Sequence, residues 1–155
     1  MGRHSDVKLT ASAEIDASAE IAFARMSDFD GFLGVLTDQG TFLQRRNAPD
    51  PITVGTTWSG QLDIRGAVRD IDVELTGLER PRFYELAAHG GGLQATMRVD
   101  VIAEGADASR ALVAIDLTPV SLAGRIVLQS VKVMHRKLEK RLRSRLRRFA
   151  RYITE

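Results

Sequence analysis

Cysteine is absent from this chain of 155 residues, which excludes disulfide frameworks, thiolate metal sites and cysteine nucleophiles. Histidine is scarce: His4, His89 and His135 stand too far apart to form a short-range metal-ligand pair. No metal or other cofactor is therefore expected. There is no window of eighteen apolar residues, and the opening MGRHSDVKLT has no hydrophobic signal core. Asp6 occupies the place where N-myristoylation wants Ser or Thr. These absences lead us to expect a soluble, unexported, cytoplasmic protein. Local catalytic signatures are also missing: no G-x-S-x-G elbow, no G-x-G-x-x-G after a strand, no P-loop and no H-E-x-x-H. The Gly90-Gly91-Gly92 triplet follows a strand but leads into another strand, so it lacks the helix N-terminus that phosphate binding uses. No residue is assigned a catalytic role on these grounds.

What is present fits one domain, 1–155, with residues 1–5 expected to be flexible. An apolar content of 44% is enough to build a core at this length. The net charge of +2 conceals an asymmetry. Up to Val131 there are 12 Lys and Arg against 18 Asp and Glu, a balance of −6; from Lys132 to Glu155 there are 10 against 2, a balance of +8. An acidic body thus carries a basic tail, a pattern that prompts a search for anionic partners.

Hydrophobic periodicity places strands first and helix last. Val7, Leu9, Ala11, Ala13 and Ile15 alternate with polar residues, as a half-buried strand does. Asp16-Ala17-Ser18 offers capping chemistry for a short helix ending near Ser27-Asp28, and a second short helix or turn is expected around Phe29 to Leu36. Six strands follow, over Thr41–Arg46, Thr56–Ile64, Val68–Leu78, Arg82–Ala88, Leu93–Ala103 and Arg110–Leu117, each break marked by Gly, Pro, Asn or Asp. Connections this short imply an antiparallel meander. Alternation puts Ile71, Val73 and Leu75, then Ala95, Met97, Val99 and Val101, then Ala111, Val113, Ile115 and Leu117 on a covered face. From Ser121 to Ile153 apolar residues recur at three and four, predicting one long amphipathic helix with a basic back.

This order, with the stretch AEIDASAEIAFARMSDFDGF and a terminal RIVLQSVKVMHRKLEKRL, resembles the START/polyketide cyclase/Bet v 1-like superfamily, of the polyketide cyclase/dehydrase and lipid transport type. The likeness covers nearly the whole chain. It implies an α+β helix-grip fold: a curved antiparallel sheet of about seven strands, in the order β-α-α-β6-α, around a long C-terminal helix. It also implies a cavity between sheet and helix for a small hydrophobic, lipid-like or aromatic ligand. The alternative within the same resemblance is a polyketide cyclase/dehydrase-like enzyme on an aromatic or polyketide substrate. A branch of the superfamily binds coenzyme Q or associates with ribosomes, but its proline-flanked Tyr and Trp residues are not found here.

The pocket candidates are Phe29 and Phe32 near the entrance, Trp58 and Tyr84 by strand parity, the adaptable Met97 and Met134, and His135 with Leu138 on the inner helix face. Glu139, one turn beyond His135, is placed to hold a ring nitrogen. On the opposite arc Arg136, Lys140, Arg143, Arg147 and Arg151 form a candidate anionic-partner surface, preceded by the outward Leu122, Ile126 and Val133. A second alternative function is therefore an interaction protein using this helix on an anionic membrane, a ribosome or a protein partner, with a homodimer also in view. Nucleic acid is the less favoured partner, because few aromatics interleave with the charges and no groove-reading motif is present.

Overall fold

The computed structural model describes residues 7–29, 42–47, 52–64 and 67–154. Strand β1 (Val7–Ile15) leads into helix α1 (Ala19–Met26); strands β2 (Phe42–Asn47), β3 (Thr57–Ile64), β4 (Ala67–Glu79), β5 (Phe83–Gly90), β6 (Leu93–Gly105) and β7 (Ala108–Pro119) then run as a meander, and helices α2 (Leu122–Val133) and α3 (His135–Thr154) close the chain. The strands form one antiparallel sheet ordered β1-β7-β6-β5-β4-β3-β2. Each predicted strand is found within about two residues of its expected ends. The expected second short helix, Phe32 included, lies outside the described residues beyond Phe29.

Local chemistry explains the helix starts. Ser18 caps α1, its Oγ accepting from the Ile21 N–H at 3.2 Å, and Ser121 caps α2 by accepting from the Gly124 N–H at 3.0 Å. The terminal helix corrects the sequence-based expectation of one continuous element. It divides at Met134, whose φ of −96° and ψ of 13° leave the helical basin. No proline or glycine marks this break, so periodicity could not reveal it. Hydrogen bonds still carry the chain through, from Met134 N–H to Ser130 O at 3.1 Å and from Leu138 N–H to Met134 O at 2.9 Å.

The sheet's inner face is built from cross-strand rows. One row joins Tyr84, Val99, Val113 and Ala11; the next joins Leu75, Leu86, Met97, Ile115 and Leu9; a third joins Trp58, Val73, Ala88, Ala95, Leu117 and Val7. Helix α1 covers β6 and β7, and Ala22, Phe23 and Met26 are buried with the first row. Helix α3 instead lies along β1 and buries Leu142, Leu146, Phe149 and Ile153. No helix among the described residues is long and apolar enough to cross a membrane.

The turn between β5 and β6 is locked against the start of α2. Gly92 has φ +81°, a conformation that glycine adopts without strain, and its carbonyl accepts from the Val120 N–H at 2.8 Å. Gly124 sits so close that a Cβ there would collide with the Gly92 backbone. Gly124→Ala should accordingly destabilise the fold by about 1–3 kcal/mol, because backbone must move to admit one methyl group. Urea unfolding of the variant beside the parent measures this.

Candidate functional site

Four aromatic rings meet at the α1 end of the inner face. Phe29 stands edge-on to Tyr84, centroids 4.9 Å apart, and to Trp58 at 5.4 Å, while Phe23 meets Tyr84 at 6.0 Å. Such pairs contribute about 0.5–1.5 kcal/mol each beyond their buried area. All four rings are fully buried. The Tyr84 hydroxyl donates to the Met26 carbonyl at 2.8 Å, so the phenol holds the end of α1 on the sheet. Burial pushes the Tyr84 phenol well above its ordinary range. Trp58 differs: its buried indole N–H has no hydrogen-bond partner among the described residues, at a cost of about 1–3 kcal/mol.

Burial is uneven along the inner face, because Leu75, Leu86, Val73 and Trp58 are buried while other members of the same two rows are not. Tyr84, Val99 and Val113 are fully covered, whereas Met97 and Ile115 in the next row are half-buried, as are Ala88, Ala95 and Leu117 in the row beyond. Val131 and Leu138 pack against the core from the helices and are half-buried too, as is Met134. Ala88 and Ala95 are paired neighbours, and two methyl groups side by side fill little space.

His135 is placed elsewhere. Its Nε2 lies 2.7 Å from the Lys8 carbonyl, which makes that nitrogen the donor, and its Nδ1 is 3.8 Å from Glu139 Oε1. Glu139 Oε2 accepts from the Thr10 N–H at 2.8 Å. Both side chains thus engage the backbone of β1 on the edge that β7 leaves free. Sequence reasoning brought His135 toward the sheet and beside Glu139, but not to a backbone carbonyl. His89 is exposed at the end of β5.

Of the sequence-selected residues, Phe29, Trp58 and Tyr84 come together in the buried cluster, and Met97, Met134 and Leu138 are each half-buried. Phe32 is outside the described residues. Phe23, Ile115 and Leu117 were not selected, although the alternation that turned Met97 inward marks Ile115 and Leu117 equally. Arg136, Lys140, Arg143, Arg147 and Arg151 are all exposed on α3. Arg147 and Arg151 border a cleft of about 480 Å³ beside Glu14, Asp16 and Arg110. A wider groove of about 930 Å³ crosses the outer face of the sheet, where Lys8, Glu85, Gln94, Thr96 and Asp116 project. Among the described residues, no three His, Asp or Glu are grouped to hold a metal ion.

A six-stranded antiparallel meander, β2 to β7, with β1 added beside β7, a helix after β1 and a terminal helical segment is, among the described residues, the helix-grip architecture of the START/Bet v 1-like superfamily. The chain belongs to the polyketide cyclase/dehydrase and lipid transport family, whose model matches residues 6–154. It is similar in structure to the Zhui aromatase/cyclase from a Streptomyces strain, with a TM-score of 0.66, 9% identity and 89% of this chain covering 92% of that one. Truncated norcoclaurine synthase from Thalictrum flavum aligns with a TM-score of 0.61, 16% identity and coverage of 94% and 97%. A START superfamily protein from Mycobacterium smegmatis aligns at 0.57, with 15% identity and coverage of 88% and 97%. Identities this low establish a shared fold and nothing finer. No curated protein gives a significant sequence match.

Two outcomes test this geometry. The raised Tyr84 phenol stabilises the fold fully below the ordinary tyrosine pKa of about 10, and that contribution is lost as pH climbs toward the folded value. Tyr84→Phe should lower stability at neutral pH by about 1–3 kcal/mol through the orphaned Met26 carbonyl, and should flatten the alkaline decline, both read from thermal melts across pH. His135→Ala should cost about 0.5–1.5 kcal/mol by the same melts, the value of one edge hydrogen bond.

Proposed function

We propose that this protein binds or carries a small apolar or aromatic molecule in the space bounded by the inner face of β4 to β7 and by α2 and α3. The carrying observation is uneven burial: Ala88, Ala95, Met97, Ile115 and Leu117 stay half-buried on an inner face where Tyr84, Val99 and Val113, and also Leu75, Leu86, Val73 and Trp58 in the same rows, are buried. Apolar side chains left half-covered in a concavity favour an apolar occupant, since each square ångström removed from water contributes about 25 cal/mol. Ligand sites of this type combine an apolar lining with a few polar anchors. Trp58, in the cross-strand row of Ala88 and Ala95, holds one such donor beneath the surface of this region, and a ligand carbonyl or ether oxygen would satisfy it only if the side chains over it move aside. A binding role is preferred to cyclase chemistry because the polar groups close to this region are an indole N–H and a phenol already engaged with Met26. The family description, which spans cyclases and lipid transport, accommodates both. The cytoplasm is the compartment we assign, in keeping with a chain without cysteine.

Trp58 is the sole tryptophan, so its emission reports on the site directly. Titration with anilinonaphthalene sulfonate should quench it saturably, and native mass spectrometry of gently purified protein should show a retained apolar ligand. Ala95→Phe fills the hollow and should weaken the probe by about tenfold or more while leaving the melting temperature unchanged or raised. Equal affinity of parent and Ala95→Phe would overturn the reading.

A further inference from the structure

Helix α2 is amphipathic in an unusual sense, because its outer side is apolar as well as its inner one. Leu128 and Gly124 are buried against the sheet, yet Leu122 is 76% exposed, Ile126 65% and Val133 86%. At 3.6 residues per turn these three fall within about 40° of arc and span about 16 Å of helix. Aliphatic side chains so exposed and so aligned form a contiguous stripe that water solvates poorly.

The charge around the stripe has one sign. From Val120 to Ile153 there are 11 Lys and Arg and a single acidic residue, Glu139. That carboxylate is turned toward β1, where it accepts from Thr10. Arg136 and Lys140 are exposed in continuation of the stripe and Lys132 is exposed on the flank between it and Leu128, and none is neutralised from its own helix. Helical hydrogen bonds run across Met134, so α3 follows α2 directly and its cations lie next to the apolar stripe along the chain.

We infer that this outer face docks on an anionic lipid bilayer, with Leu122, Ile126 and Val133 entering the headgroup boundary and Lys132, Arg136 and Lys140 meeting lipid phosphates. An apolar stripe flanked by cations on a helix lying in the interface plane is the arrangement that combines area burial with attraction to anionic lipid. A second copy of the chain is a poorer occupant, because pairing two such faces brings two sets of cations together. Nucleic acid would leave the aliphatic stripe in water. The inference stands independently of any ligand in the interior, since it concerns the opposite side of the helix.

Sedimentation with vesicles of phosphatidylcholine, with and without a third of phosphatidylserine, tests it on the intact chain. Binding should require phosphatidylserine and should fall at least tenfold between ~0.1 M and ~1 M salt, where the screening length shrinks from about 10 to about 3 Å. The triple variant Leu122→Ser, Ile126→Ser, Val133→Ser and the triple variant Lys132→Glu, Arg136→Glu, Lys140→Glu should each bind at least tenfold more weakly. All six positions are exposed, so circular dichroism and melting should match the parent. Failure to bind anionic vesicles, or undiminished binding by the serine variant, overturns the inference. So does a concentration-dependent dimer, seen by analytical ultracentrifugation, that the serine variant abolishes. Salt-sensitive RNA binding stronger than vesicle binding would likewise overturn it.

Discussion

The free edge of β1 is the constraint on which the terminal half of the molecule turns. Among the described residues, an antiparallel sheet ordered from β1 to β2 leaves β1 with a partner strand on one side only, and an open edge presents unpaired backbone groups to other chains. Helix α3 covers it. Glu139 takes the Thr10 N–H, His135 donates to the Lys8 carbonyl, and Leu142, Leu146, Phe149 and Ile153 bury the apolar side of the strand. Once α3 is held there, its other side faces water along its length. Its dense positive charge is tolerated because those side chains are solvated rather than desolvated.

The same placement decides how the concave face is used. Helix α1, tied to the sheet by Tyr84 through Met26 and by Ser109 through Ala17, closes one end tightly. Helix α2 approaches the sheet through the Gly92–Gly124 contact, against β6 and β7. Two helices anchored at different points of one curved sheet cannot cover it uniformly, and the half-buried residues lie where neither packs closely. The outer face of α2, pointing away from that region, is left with aliphatic side chains in water.

Much of this architecture was legible along the chain. Strict alternation in β1, β4, β6 and β7 settles which side chains turn inward, because a strand has only two faces and burying one requires a period of two. The caps at Ser18 and Ser121 are local chemistry that a reader of the sequence can place. The inward Trp58 and Tyr84 followed from parity. By contrast, the division of the terminal helix at Met134 leaves no proline or glycine as a sign, and a helical periodicity continues through it. The role of His135 was only half visible: helical spacing turned it toward the sheet, but its partner is a backbone carbonyl 127 residues away.

By itself, then, the sequence determined the element order, the two faces of each strand, and the separation of an acidic body from a basic terminal helix, because these depend on local periodicity and composition. Only the tertiary structure decided that Tyr84 binds Met26 rather than a ligand, that Trp58 is buried without a partner among the described residues, and that Ala88, Ala95, Met97, Ile115 and Leu117 stay half-buried while their row neighbours are covered. Those outcomes depend on where distant elements meet, and contacts between residues far apart in the chain leave no pattern in the spacing of either partner.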